Sequence, residues 1–284
     1  MKQDSAIRLI LLGLAMSSVA ALAVITLFIF REGLPIIFRQ GPGSFLFGSD
    51  WDPGAEPAAF GIFAMIAGTF AVTGGALLLG VPVGLGSAIF LSEFAPRKVA
   101  TILKPALELL AGIPSVVFGY IGMLVLSPFI RDHIGGSGAS VLAGSAILGI
   151  MILPTIISIS MDTLRSVPRS YREGSFALGA TGWQTTWKVT LPAARSGLVA
   201  AVILGMGRAV GETMAVIMVT GNTALVPKSP LSPARTLTAN IAMQLNAAVG
   251  EHREALFACG VVLFVIIMVL NTFANWVAKL GKRA

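Results

Sequence analysis

The sequence predicts an all-α, polytopic membrane protein with six transmembrane helices, and two observations carry that prediction. Of the 284 residues, 55% are hydrophobic and only 12% are charged, with a mean hydropathy of +0.86. A soluble domain carries about 25% charged residues, so composition argues against that class. The apolar residues also gather in runs of roughly 20, the length that crosses a bilayer. Six spans are predicted at residues 7–30, 62–91, 103–130, 140–161, 197–220 and 255–278.

The first span, residues 7–30, begins like a secretory signal peptide, with Lys2 and Arg8 at its basic front. The Ala-Leu-Ala sequence at 21–23 also resembles a cleavage site. However, the apolar run continues beyond that site. We therefore interpret this span as an uncleaved first helix.

Two long outer loops organise the rest of the chain. The first, about residues 31–61, is rich in glycine and proline and therefore irregular. It divides the chain into a first unit, residues 1–61, and a core of five transmembrane helices, residues 62–284. The last outer loop, about residues 221–254, contains a predicted amphipathic piece at 236–248.

Glycine and proline are frequent inside the spans. Gly80/Gly84 and Gly207/Gly211 have the GxxxG spacing that lets membrane helices approach closely, so we interpret them as packing residues. Pro114 differs because a proline inside a helix leaves one backbone carbonyl without its partner. In a membrane that group must be paired by protein or water, which favours a position near a pathway.

The Lys and Arg residues outside the spans predict the orientation. Thirteen fall on the side of the two chain ends and six on the opposite side, so the positive-inside rule places both ends in the cytoplasm. The thirteen are Lys2, Arg8, Arg97, Lys98, Lys104, Arg165, Arg169, Arg172, Lys188, Arg195, Lys279, Lys282 and Arg283; the six are Arg31, Arg39, Arg131, Lys228, Arg235 and Arg253. The net charge of +7 is mostly this bias, so we do not interpret it as nucleic-acid binding.

Residues typical of catalytic and metal sites are scarce. Cys259 is the single cysteine, and His133 and His252 lie in separate predicted outer loops. The sequence therefore offers little for a disulfide, a metal site or a histidine-based nucleophilic site. No GxxxxGK[ST] motif occurs, so the chain cannot hydrolyse ATP by a P-loop of its own. We predict no catalytic residues, metal ligands or cofactor.

The longest predicted cytoplasmic loop, residues 165–195, reads RSVPRSYREGSFALGATGWQTTWKVTLPAAR. A helix is predicted from Ser170, which would be its N-cap, with Glu173 at the capping-box position. Four residues then follow at intervals of four, three and four: Phe176, Ala180, Trp183 and Trp187. An exposed apolar face of this kind needs a partner. The alternative is that the two tryptophans only anchor the lipid interface.

This loop resembles the EAA loop of ABC-importer permeases, in which EAA is followed by three residues, glycine, nine residues and Ile-x-Leu-Pro. The matching residues are EGS at 173–175, Gly179 and VTLP at 189–192, so the spacing agrees at every step. Gly, Ser and Val are the departures. In that family the loop forms a coupling helix that docks in a groove of a separate ATPase subunit. The resemblance thus assigns ATPase coupling to Glu173, Gly179 and a turn at Leu191 and Pro192.

Longer stretches resemble the phosphate-transport permeases. They are FLSEFAP (90–96), ELLAGIPSVVFGYIG (108–122), ALGATGWQTTWKVTLPAA (177–194) and GRAVGETMAVIMVTGN (207–222). Met-Ala-Val after Gly-Glu-Thr is similar to the PstC-type subunit, where the PstA-type subunit usually has Ala-Pro. The resemblance implies the type I ABC-importer permease (MetI-like) fold in the inner membrane. It also implies a PstA-type permease, a PstB-type ATPase dimer and a PstS-type phosphate-binding protein as partners.

Arg208 and Glu212 are charged residues inside the predicted fifth span, whose midpoint falls at 208–209. A charge at a helix centre costs at least about 2.5–3.5 kcal/mol on insertion scales, so we expect it to face protein or an aqueous path. A guanidinium fork matches a tetrahedral oxyanion, and Glu212, predicted one turn away on the same face, would compete for Arg208 and release the anion. The alternative is an internal salt bridge that only locks helices together.

These observations predict a permease subunit of an ATP-driven phosphate importer, with Arg208 and Glu212 in the substrate pathway. A permease of the same fold for phosphonate or another oxyanion is the nearest alternative. An intramembrane hydrolase would need a nucleophile and a base, and no predicted span contains histidine. A passive anion channel would leave the EAA-like loop without a role.

Reporter fusions test the predicted topology. Fusions at Arg97, near Thr181 and after Ala284 are expected to report the cytoplasm, because the basic residues lie on that side. Fusions near Asp52 and Lys228 are expected to report the outside. An outside signal at Thr181 would contradict the assignment of the coupling loop.

Overall fold

The computed structural model describes the backbone of residues 2–280 and the side chains of residues 7–96, 98–274 and 276. This part of the chain is almost entirely helical, as predicted, apart from an antiparallel pair of strands, β1 (Trp51–Asp52) and β2 (Ala59–Phe60). The helices are α1 (Lys2–Gln40), α2 (Pro42–Phe47), α3 (Phe63–Ile89), α4 (Arg97–Gly112), α5 (Ser115–Ile121), α6 (Ser127–His133), α7 (Val141–Ser166), α8 (Arg169–Ala177), α9 (Gly182–Thr185), α10 (Leu191–Gly211), α11 (Met214–Val219), α12 (Leu237–Gln244) and α13 (Gly250–Leu280). Five of the basic side chains used to predict the orientation lie outside the described side chains: Lys2, Arg97, Lys279, Lys282 and Arg283.

Three π-helical turns join some of these helices into longer stretches. They are Phe90–Phe94 after α3, Gly122–Leu126 between α5 and α6, and Thr186–Thr190 between α9 and α10. Among the described residues, six helical stretches are long and apolar enough to cross a membrane: Ile7–Gln40, Phe63–Phe94, Ser115–His133, Val141–Ser166, Gly182–Gly211 and Gly250–Ala274. The predicted number of spans is confirmed, and the second and fourth spans agree within a few residues.

The first and third predicted spans have wrong boundaries. Helix α1 continues to Gln40, so the loop predicted from residue 31 begins ten residues later. Arg31 and Glu32 end the apolar run, but both residue types favour helix. The predicted span 103–130 is instead two elements, α4 and the stretch Ser115–His133.

The break after α4 has a local cause. Ile113 precedes a proline and is extended, with φ −67° and ψ 128°, because the proline ring disfavours helical backbone at the residue before it. Pro114 is then the N-cap of α5. The prediction that Pro114 frees a carbonyl inside one continuous span is therefore wrong, since this proline separates two helices.

The fifth predicted span, residues 197–220, is also displaced. Its helix begins at Gly182 and ends at Gly211, so α11 is a separate element. Leu191 and Pro192 do not form the predicted turn. They lie in the first turn of α10, directly after a π-helical turn, where a proline is tolerated because its position needs no donor.

Helix α7 lies at the centre of the larger core. It packs against α3, α4, α10 and α11, and its Ile147, Leu148, Met151, Ile152 and Ile156 are buried there. A Cβ added at Gly80 would lie 2.8 Å from Ile152 Cδ1, and one at Gly84 would lie 2.8 Å from Ile156 Cγ2. The packing interpretation of Gly80 and Gly84 is confirmed. A Cβ at Gly207 or Gly211 would meet nothing within 4 Å, so that pair does not pack against another helix in the described part of the chain.

A second core joins the start of the chain to its end. Helix α1 packs along α13, and α12 packs beside them. Ile36, Phe45, Ile62, Met65 and Leu237 are fully buried in this cluster. The amphipathic piece predicted at residues 236–248 contains α12, which begins after its N-cap Thr236 and ends at Gln244, four residues earlier than predicted. The apolar side chains in the first half of α1 are exposed, which suits contact with lipid.

Candidate transport pathway and coupling segment

The helix that carries Arg208 is interrupted in the middle of the bundle. Helix α10 ends at Gly211, and Glu212 is extended, with φ −69° and ψ 132°, before α11 begins at Met214. Two turns before the break, Gly205 packs against α7, since a Cβ there would lie 2.9 Å from Ile156 Cγ1, and Ala215 and Val216 just after it are buried in the same core. Irregular backbone at such a depth requires partners from the protein or a water-filled cavity.

Glu212 supplies those partners itself. Its Oε1 accepts hydrogen bonds from the backbone N–H of Thr213 at 3.1 Å and of Ala215 at 3.3 Å. Its backbone N–H donates to Ala209 O at 3.3 Å, and its backbone carbonyl accepts from Thr238 Oγ1 at 3.0 Å. Glu212 therefore caps the start of α11 and ties the break to α12.

The predicted pairing of Arg208 with Glu212 is wrong in its geometry. Arg208 lies in the last turn of α10 and is half-buried. Within the described part of the chain, it forms no ion pair with any carboxylate. The reason is that Gly211 ends the helix, so Glu212 does not occupy a helical position one turn beyond Arg208. A cation in the last turn of a helix is nevertheless favoured by the helix dipole.

A second basic side chain near the break was missed by the sequence reasoning. Arg235 Nε donates to Asn222 O at 2.8 Å, and its Nη1 donates to Asn240 Oδ1 at 3.2 Å. Burial lowers the pKa of the Arg235 guanidinium, which has no carboxylate partner among the described residues. Arg235 precedes Thr238, the residue that reaches Glu212, by three positions. Its place in a proline-rich loop carried no recognisable motif that could have identified it.

The EAA-like segment is two helices rather than the single predicted one. Helix α8 follows the cap residue Pro168, so Ser170 is not its N-cap, and it ends at Ala177. Gly179 has φ +83°; its N–H donates to Phe176 O at 2.9 Å, and that of Ala180 donates to Ser175 O at 3.2 Å. This pair of bonds is a Schellman motif, which favours glycine at the left-handed position.

The observed capping box lies further along the chain than predicted. The hydroxyl of Thr181 accepts from Gln184 N, and Gln184 Oε1 accepts from Thr181 N at 2.9 Å, which starts α9. Since the chain turns between Phe176 and Trp183, the predicted continuous helical face does not form. The sequence analysis did not predict this turn because Gly179 follows Phe176 by three positions, a spacing that also occurs within a continuous helix.

Apolar side chains around this turn are nevertheless exposed. Leu178 is 90% exposed, and Phe176 and Trp187 are about half exposed. Trp183 contacts Trp187 with ring centroids 5.5 Å apart, and its other face lies 5.8 Å from the ring of Phe94. Glu173 and Gly179 are exposed on the same segment. Glu173 and Gly179 thus share one exposed segment, while Leu191 and Pro192 lie further on, at the start of α10.

The chain matches a known protein family and is similar in sequence to several named proteins. The model of the family described as "Binding-protein-dependent transport system inner membrane component" matches residues 80–282. "Probable ABC transporter permease protein YqgH" of Bacillus subtilis is 45% identical over 280 residues, covering 97% of this chain and 91% of that protein. The phosphate transport system permease protein PstC of Mesorhizobium japonicum is 38% identical over 254 residues, covering 82% and 77%.

Solved structures share the fold at low sequence identity. A chain of a bacterial alginate ABC transporter, in complex with an alginate pentasaccharide-bound periplasmic protein, is similar with a TM-score of 0.65 and 19% identity. That match covers 95% of this chain and 94% of the other. A chain of the inward-facing MetNI methionine ABC transporter is similar with a TM-score of 0.60 and 19% identity, covering 77% and 96%.

Proposed function

Because the chain belongs to the family of binding-protein-dependent transport system inner membrane components, we propose that it is the permease subunit of an ATP-driven importer of inorganic phosphate. It is an ABC importer permease subunit of the MetI-like fold and a multi-pass inner-membrane protein. Phosphate as the cargo is suggested by relatives named PstC, which are 35% to 38% identical over most of this chain.

The guanidinium of Arg208 is the observation that supports an anionic cargo. It is half-buried at an interrupted helix and has no carboxylate partner among the described residues. Its planar fork of donors matches two oxygens of a tetrahedral oxyanion. Gly207 and Gly211 lie beside Arg208 in α10, and a Cβ at either position would meet nothing within 4 Å. An anion can therefore approach this side of the helix.

Glu212 has the complementary role in this proposal. One of its carboxylate oxygens, Oε1, is occupied by the cap of α11, whereas Oε2 has no hydrogen-bond partner among the described residues. That oxygen can accept a hydrogen bond from a protonated phosphate, which sulfate would lack. A change at the α10–α11 break would also bring the carboxylate toward Arg208, where it would compete with the anion for the guanidinium.

We assign the remaining partners to the cytoplasmic segment and to the outer loops. A PstB-type ATPase dimer would dock on α8 and the following turn, through Glu173 and Gly179, with Leu191 and Pro192 transmitting the contact into α10. A PstA-type permease would complete the pathway. A PstS-type binding protein would deliver phosphate to the outer loops, and both chain ends would lie in the cytoplasm.

Replacement of Gly179 tests the coupling segment. Gly179→Ala forces a side chain into the left-handed region, at a cost of about 1–2 kcal/mol, so ATPase association is expected to weaken about tenfold. Gly179→Trp adds bulk on the docking side and should weaken it further. Co-purification of the ATPase and phosphate uptake are the measurements, at matched membrane levels.

Gly174→Ala is the matched control for this prediction. Gly174 lies inside α8, its φ is not positive, and a Cβ there would meet nothing within 4 Å. We expect this variant to associate and transport normally. Normal association of the ATPase with Gly179→Ala and Gly179→Trp would rule out this turn as the contact.

Replacement of Arg208 tests the pathway. Arg208→Gln removes the charge from two hydrogen bonds to the anion, each worth about 1.5–3 kcal/mol, so uptake should fall by about 100-fold or more in an assembled complex. Arg208→Lys should also transport poorly, because an ammonium cannot reproduce the planar fork. Arg195→Gln, on the exposed opposite end of α10, is the control expected to transport normally.

The double variant Arg208→Gln with Glu212→Gln separates this role from a structural lock. If the two residues only held helices together, removing both charges would restore much of the uptake, since buried pairs replaced as a unit are often near neutral. We expect uptake to remain absent while the complex stays assembled. Near-normal uptake in the double variant would contradict the pathway role.

A further inference from the structure

Helix α8 has very little apolar attachment to the rest of the chain. None of its nine residues is buried, and a helix of that length is marginal when isolated. Its side-chain hydrogen bonds to other elements are few: Ser175 Oγ lies 2.9 Å from Thr185 Oγ1 in the next helix, and Arg172 reaches back to the membrane helices. Arg172 provides most of the side-chain hydrogen bonds that join α8 to the rest of the described chain.

Arg172 joins three elements at once. Its Nη2 and Nε donate to the two carboxylate oxygens of Glu93, at 2.7 and 3.2 Å. Its Nη2 also donates to Leu164 O and its Nη1 to Val167 O, both at 2.9 Å. Four of the five guanidinium N–H groups thus have partners, an arrangement that three lysine donors on a single nitrogen cannot reproduce.

The partners of Arg172 belong to two parts of the membrane core. Glu93 lies in the π-helical turn that ends α3, while Leu164 and Val167 are at the end of α7, where backbone carbonyls have no helical donors. The side chains of Arg172 and Glu93 are only 20% and 10% exposed. Since α3 and α7 pack along each other in the larger core, both helices meet α8 at this one guanidinium.

We infer that Arg172 and Glu93 form the joint through which movement of α8 is passed to α3 and α7, as positioning residues for transport. The inference rests on the proposed function, because it requires an ATPase that moves α8. A displacement of α8 must carry Arg172 with it. The buried fork then moves the ends of α3 and α7, because leaving either charge buried and unpaired is strongly unfavourable.

The geometry favours a joint over a simple surface ion pair. An exposed pair contributes little because water screens it and the side chains lose conformational freedom. Here the pair is largely shielded and shares its donors with two helix-end carbonyls. Among the described residues, one ring contact links α9 to the π-helical turn after α3, that of Phe94 with Trp183, and it involves no residue of α8.

The test uses the complete complex with its second permease, ATPase and binding protein, reconstituted in vesicles. Arg172→Gln and Glu93→Gln are each expected to assemble normally and keep basal ATP hydrolysis, but to lose stimulation by the phosphate-loaded binding protein by about tenfold. The double variant should be no worse than either single variant, since residues in one network are not additive. Arg172→Lys should not restore stimulation.

Arg169→Gln is the control, because Arg169 is an exposed arginine of the same helix. Wild-type stimulation in Arg172→Gln or Glu93→Gln would overturn the joint, as would loss of assembly, which would make the pair a determinant of folding instead. Additive losses in the double variant would also overturn it. If the wild-type complex itself showed no stimulation by phosphate, the proposed function would fail and not the joint alone.

Discussion

The rest of the structure depends on one constraint, the pairing of backbone hydrogen bonds where water is absent. The chain satisfies it mainly with long helices, and the helical pattern is interrupted at Glu212 and Thr213, between α10 and α11. There the side chain of Glu212 and the hydroxyl of Thr238 replace the missing helical partners. The break leaves Arg208 at a helix end with no carboxylate partner among the described residues, an arrangement that fits the proposed oxyanion pathway.

The segment proposed for coupling is attached differently from the membrane helices. Helix α8 buries no residue and is joined to the other elements by hydrogen bonds. The membrane helices are held by close apolar packing, for example where Gly80 and Gly84 of α3 contact α7. Polar contacts allow α8 to be displaced as a unit, and the Schellman turn at Gly179 gives it a defined end. The membrane helices thus form a closely packed bundle to which α8 is joined by hydrogen bonds, an arrangement that fits the proposed coupling.

The sequence predicted the fold class and the number of spans because composition and hydrophobic runs are properties of the chain itself. It misplaced the ends of spans where a local residue overrode the hydropathy pattern, as Pro114 does after α4 and as Gly211 does after α10. The motif residues Glu173 and Gly179 were identified by spacing, but the turn between the two helices was not. The contact between Arg172 and Glu93 spans 79 positions, so nothing in local sequence could reveal it.

The central claim is that this chain couples phosphate import to ATP hydrolysis by a partner subunit. Its most direct test is the ATP hydrolysis rate of the reconstituted complex with the binding protein supplied empty, loaded with phosphate or mixed with a phosphonate. The account predicts a clear rise in rate with the phosphate-loaded protein alone. Equal rates under the three conditions, or a rise with the phosphonate in place of phosphate, would contradict it.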